Sequence, residues 1–121
     1  MSDKYAVNLY RQLQMAPHTW RRLTEFGVDE NTELALNYIF NAPDKDKAAK
    51  LVGMLHQYGY RADVRQTGTF FNKKWIVEGW TNPGTFSPEK LDQWVQWMVQ
   101  AGKECESHFD SWDAEVMQEA A

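Results

Sequence analysis

The sequence predicts an α+β domain, on three observations. Several segments alternate apolar and polar residues with period two, the signature of strands with one buried face. Others carry apolar residues at helical spacing behind helix-start residues. Pro- and Gly-containing breakers separate the two kinds in a mixed order.

The first segment reads as helix, with Ala6, Leu9, Tyr10 and Leu13 as its apolar stripe. Met15-Ala16-Pro17 interrupts it. Pro17 suits the first turn of a second, short helix that buries Trp20 and Leu23 and ends at Gly27. Leu34, Leu36, Tyr38 and Phe40 alternate with Ala35, Asn37 and Ile39, so Thr32 to Phe40 is a strand. Asp44 caps a helix with Ala48, Leu51, Val52 and Leu55 inside, and Gly59 ends it. Tyr60, Ala62 and Val64 mark a second strand. Gln66 to Asn72 is a hairpin loop containing Gly68, and Lys73 to Trp80 is the third strand. In that strand Ile76, Glu78 and Trp80 share one face, and Trp75, Val77 and Gly79 the other. Thr81-Asn82-Pro83-Gly84 breaks the chain. Ser87-Pro88-Glu89 then starts a helix whose stripe is Leu91, Trp94, Val95 and Met98, stopped by Gly102. His108 to Met117 is a last strand with Trp112, Ala114 and Val116 on one face.

The order after the N-terminal helices is β-α-β-β-α-β. That is a ferredoxin-like pattern, an antiparallel sheet with two helices on one face. The whole chain, 1–121, is expected to be a single domain, with 1–30 as a helical extension and 31–117 as the βαββαβ core.

Composition narrows the function. The chain has 121 residues, of which 43% are hydrophobic and 25% charged, enough to bury a core without disulfides or a structural metal. A net charge of -4 argues against sequence-independent nucleic-acid binding, which draws on excess Lys and Arg. With Cys105 alone no intrachain disulfide forms. The start lacks the basic and apolar regions of a signal peptide, and no apolar run approaches the roughly 20 residues that cross a bilayer. A cytoplasmic location is expected.

Six Trp, five Tyr and six Phe suit a compact core, a binding face, or both. The spacing of Trp94 and Trp112 points to core packing, and Trp97 falls at the margin of its helix stripe. Trp75 and Trp80 lie on opposite faces of one strand, so one of them faces away from the two main helices. The carboxylates Asp110, Asp113, Glu115 and Glu119 form an acidic strand end suited to steering a partner. Regular alternation places Asp113 and Glu115 on one face and Asp110 on the other. With His108 these carboxylates offer too few ligands at the right spacing for a metal site. Arg61, Arg65, Phe70, Phe71, Lys73, Lys74 and Trp75 form a basic and aromatic stretch that nucleic-acid contact would use; the alternative is a polar hairpin with solvated charges. No phosphate loop or nucleophile motif is present, and Cys105 near His108 lacks an orienting third group. Neither a cofactor nor catalysis is expected.

The segment His108-Phe109-Asp110-Ser111-Trp112-Asp113-Ala114-Glu115-Val116 resembles the closing strand of the bacterial regulators of ribonuclease E activity B, with its aromatic-Asp-Gly-Trp motif. Phe109, Asp110 and Trp112 fit the motif, and Ser111 replaces the Gly. Leu23-Thr24-Glu25-Phe26-Gly27-Val28-Asp29 before the first strand, and Tyr58-Gly59-Tyr60 after a helix, match as well. The resemblance runs from Trp20 to Val116. It implies a ferredoxin-like fold and a non-catalytic regulator that binds ribonuclease E and lowers RNA cleavage. The chain lacks the strongly acidic tail of the characterised regulators. Expected partner-binding residues are Asp110, Trp112, Asp113, Glu115, Trp75 and Trp80. The alternatives are an immunity-type or other protein-interaction module, or direct RNA binding through Arg61, Arg65, Lys73 and Lys74.

Overall fold

A computed structural model describes residues 3–117. It contains three helices, α1 (Lys4–Glu25), α2 (Lys45–Gln57) and α3 (Pro88–Glu104). Its strands are β1 (Glu33–Ala42), β2 (Arg61–Thr69), β3 (Asn72–Trp80), the two-residue β4 (Gly84–Thr85) and β5 (His108–Val116). β1 is central. It runs antiparallel to β3, β5 and β4, and β3 is antiparallel to β2. Mixed helix and antiparallel sheet is therefore the observed class.

The helix starts are where side-chain caps predict them. Asp44 accepts from the Lys47 amide at 2.8 Å, and Ser87 from the Lys90 amide at 3.2 Å with Pro88 in the first turn. All three helices end in the same pair of backbone hydrogen bonds. In α1 they are Val28 N–H to Leu23 and Gly27 N–H to Thr24; in α2, Tyr60 to Leu55 and Gly59 to His56; in α3, Ser107 to Gly102 and Glu106 to Lys103. This geometry demands a left-handed residue. Gly27 and Gly59 supply it at φ 92° and 83°, whereas Glu106 does so at φ 51° with a side chain attached. Gly102 does not stop α3, as the sequence suggested. It lies inside the last turn because a Cβ there would meet the Ser107 carbonyl oxygen at 2.7 Å and the Phe40 ring at 3.1 Å.

The N-terminus departs most from expectation. α1 is one helix of 22 residues that continues through Pro17. A proline inside a helix removes one hydrogen bond and crowds the preceding turn. Packing on both sides of it outweighs this: Leu9 and Leu13 before it and Trp20 after it all lie against the core. The buried stripe is also rotated from the predicted one. Tyr10 is 65% exposed, while Asn8 and Gln12 are buried.

The two buried amides hold α1 on the sheet. Asn8 Nδ2 donates to the Phe109 carbonyl at 2.8 Å, and Gln12 Nε2 to the Asp110 carbonyl at 3.1 Å. β5 pairs with β1 alone, so its other side presents unpaired backbone groups, and α1 satisfies two of them. The core lies between sheet and helices. Leu36, Tyr38 and Phe40 of β1 meet Leu51 and Leu55 of α2 and Leu91, Val95 and Met98 of α3.

Candidate partner-binding face

The side chains of β1 divide cleanly. Leu34, Leu36, Tyr38 and Phe40 point into the core, and Asn37, Ile39 and Asn41 point away from it. Directly paired residues share a face, so register assigns the rest. Asn37 pairs with Trp80 and Asp113, Ile39 with Glu78 and Ser111, and Ala35 with Glu115. Trp80 in turn pairs with Arg61, and Glu78 with Asp63. These residues form the sheet face opposite the helix-packed core.

Trp80 is the large apolar side chain of this face, 44% exposed. The Arg61 guanidinium stands over its ring at 5.6 Å from the centroid. Two hollows flank it. One, of about 390 Å³, is bordered by Ile39, Asp63, Glu78, Trp80, Ser111 and Asp113 among others. The second, of about 360 Å³, is bordered by Ala35, Arg61, Trp80, Pro83 and Glu115 among others. Two of the carboxylates are held in exposed ion pairs, Glu78 with Arg65 at 2.9 Å and Asp113 with Arg22 at 3.3 Å. Asp63 and Glu115 have no such partner among the described residues.

The predicted site residues do not all converge. Trp80, Asp113 and Glu115 meet on the open face. Trp75 pairs with Ala42 and is half-buried against the helix-side core. Trp112 pairs with Tyr38 and stacks edge-on against Trp94 at 5.5 Å, which places its ring on the helix side. Asp110 stands apart, at a bulge. Phe40 pairs with Phe109 and Ile39 with Ser111, so Asp110 has no partner across the ladder.

That bulge explains the spacing of the closing motif. Phe109 and Trp112 are three residues apart, and a regular strand would send them to opposite faces. The extra residue restores both to the core side, where each ring lies edge-on to Trp94. Sequence alternation alone missed this, and the odd spacing of two aromatics in one strand is the signal that reveals it. Ser111 has no positive φ, so the bulge accepts a side chain where the motif has Gly.

The basic residues are likewise dispersed. Arg65 is committed to Glu78 and Arg61 to Trp80, while Lys73 and Lys74 lie near the β2–β3 tip. The predicted loop Gln66 to Asn72 is mostly strand: β2 runs to Thr69 and β3 starts at Asn72, leaving Phe70 and Phe71 as the turn. No three His, Cys, Asp or Glu side chains come together as ligands among the described residues. Glu119 lies outside those residues. Cys105 is buried, and desolvation raises its thiol above the ordinary value, the wrong direction for a nucleophile. Among the described residues no helix is long and apolar enough to cross a membrane.

A model of the family described as regulator of ribonuclease activity B matches residues 16–114. The chain belongs to this family. The match takes in the second half of α1, the whole of β1, the β2–β3 hairpin, α3 and the bulged motif of β5. The regulator of ribonuclease activity B family is described as a regulator, not as a catalytic class. No curated protein matches the chain.

Proposed function

We propose that this chain is a non-catalytic regulator that binds a ribonuclease, ribonuclease E in the first instance, and lowers its cleavage of RNA. The open sheet face around Trp80 is the docking surface. The observation that carries this reading is the contrast between the two sides of the sheet. One is filled by helices. The other presents a half-exposed Trp between two hollows, rimmed by carboxylates. Trp is enriched at the energetic centres of interfaces, and a rim of charge selects and steers the partner.

The strand adjacency β5-β1-β3-β2, antiparallel throughout, supports a ferredoxin-like arrangement for 31–117, within a single domain. α1 is then an addition that seals the β5 edge and leaves the open face free. The regulator acts in the cytoplasm, where its nuclease partner meets RNA.

The test is a titration of purified ribonuclease E with the full chain, following association and the rate of RNA cleavage together. Association with slowed cleavage is expected. Absence of both effects removes the proposal. Association without slowing retains the docking face and moves the function to another interaction role.

A further inference from the structure

The distal half of the β2–β3 hairpin is an arm. From Asp63 to Lys74 every residue except Thr67 is exposed, so neither side of this two-stranded ribbon rests on the body of the protein. Its tip is two adjacent phenylalanines. Phe70 is 82% exposed and Phe71 94%, with ring centroids 5.1 Å apart. Such a pair at a projecting turn has no role in the core and is unfavourable in water.

The charges around the tip have one sign. No acidic residue occurs between Asp63 and Glu78, although the whole chain carries a net charge of -4. Lys73 and Lys74 lie in β3 just behind the tip, opposite Gly68 and Thr67. As consecutive strand residues they project to opposite sides of the arm. The tip is thus an apolar point with one ammonium group on each flank. Gly68 keeps it narrow: its φ is 97°, and a Cβ there would fall 2.0 Å from the Asn72 carbonyl oxygen.

We propose that this arm is a membrane-surface anchor. Phe70 and Phe71 enter the boundary between headgroups and acyl chains, and Lys73 and Lys74 remain among anionic headgroups. The chemistry follows the order along the arm, apolar first and cationic behind it, which is the order met on entering an anionic bilayer surface. RNA fits less well. The two rings stand 86° apart rather than offering parallel platforms, and neither borders the hollows of the open face. Two rings and two lysines give reversible attachment, which delivers the regulator to a surface without fixing it there. This inference is independent of the nuclease partner.

The experiment is co-sedimentation of the full chain with vesicles of phosphatidylcholine alone and of equal parts phosphatidylcholine and phosphatidylglycerol, at about 0.05 M and about 0.5 M salt. Binding is expected to the anionic vesicles at low salt and to weaken at high salt. Phe70→Ser with Phe71→Ser should reduce partitioning more than about tenfold. Each of Lys73→Gln and Lys74→Gln should reduce it about fivefold. All four side chains are exposed, and matching melting curves would show that the variants fold. Failure of the wild-type chain to sediment with anionic vesicles at low salt overturns the proposal, as does unchanged binding by the double Phe variant. Loss of ribonuclease or RNA binding in that variant, without vesicle binding by the wild type, assigns the arm to that partner instead.

Discussion

The hydroxyl of Tyr38 reaches across Gly79 and donates to the backbone carbonyl of Arg61, linking β1 to β2 over the intervening β3. Gly79 makes this possible. It pairs with both Tyr38 and Ala62, and a Cβ on it would lie 1.7 Å from the Arg61 carbonyl oxygen and 2.7 Å from the Tyr38 hydroxyl. Gly79→Ala should therefore destabilise by about 3 kcal/mol or more, since backbone as well as side chain must move. Tyr38→Phe removes only the hydrogen bond and should cost about 1–2 kcal/mol. Urea unfolding of the two variants checks the ranking; equal costs would mean that Gly79 does not serve the close crossing.

The same phenol gives the protein an alkaline limit. Burial raises Tyr38, and Tyr60 beside it, above the ordinary value of 10.0. The folded state thus favours the neutral phenol more than the unfolded state does. This contribution is complete below pH 10 and is lost as pH rises above it. Unfolding free energy should fall steeply above pH 10 in the wild type and less steeply in Tyr38→Phe. Parallel curves would remove Tyr38 from the account.

Two tryptophans on opposite sides of the sheet should separate binding from stability. Trp80→Ala should weaken the ribonuclease complex by about 2–4 kcal/mol while the fold persists. Trp112→Ala should cost about 3 kcal/mol of stability through loss of its packing on Trp94. Titration calorimetry and thermal melts read the two effects. Full binding by a folded Trp80→Ala would displace the docking site from the open face.

The amides of α1 protect the β5 edge. Gln12→Leu leaves the Asp110 carbonyl without its donor and should destabilise by about 1–3 kcal/mol despite the added apolar surface. Hydrogen exchange should rise in β5 and the N-terminal part of α1. A more stable variant would show that the edge tolerates an apolar cover.

Glu106→Gly should raise the melting temperature. It relieves the left-handed strain of a side chain at φ 51°, and the ion pair with Lys47 that it removes is solvent-exposed. A lower melting temperature would give the ion pair more weight than exposed pairs ordinarily carry.

Alternation and capping made much of this protein legible from its sequence. The strand faces of β1 and β3 follow from period two, and the starts of α2 and α3 from Asp44 and Ser87. What escaped has a common physical origin, because it depends on partners distant in the chain. Asn8 and Gln12 look like solvent residues until β5 supplies carbonyls, and that is why the predicted stripe of α1 was rotated toward Ala6 and Tyr10. Pro17 looks like a boundary until packing on both sides outweighs one lost hydrogen bond. The candidate site was legible in part: period two put Trp80 opposite Trp75, but only register could assemble Trp80, Asp113 and Glu115 from separate strands.

The unpaired residue at Asp110 sets the phase of everything that follows it in β5. Pairing Asp110 in a regular ladder would turn the rest of the strand inside out, sending Asp113 and Glu115 toward the helices and Trp112 into water. The segment between Phe109 and Trp112 therefore tolerates a change of letter, as Ser111 demonstrates, but with this number of residues it does not tolerate loss of the bulge. Backbone shape, more than composition, is what this motif must keep.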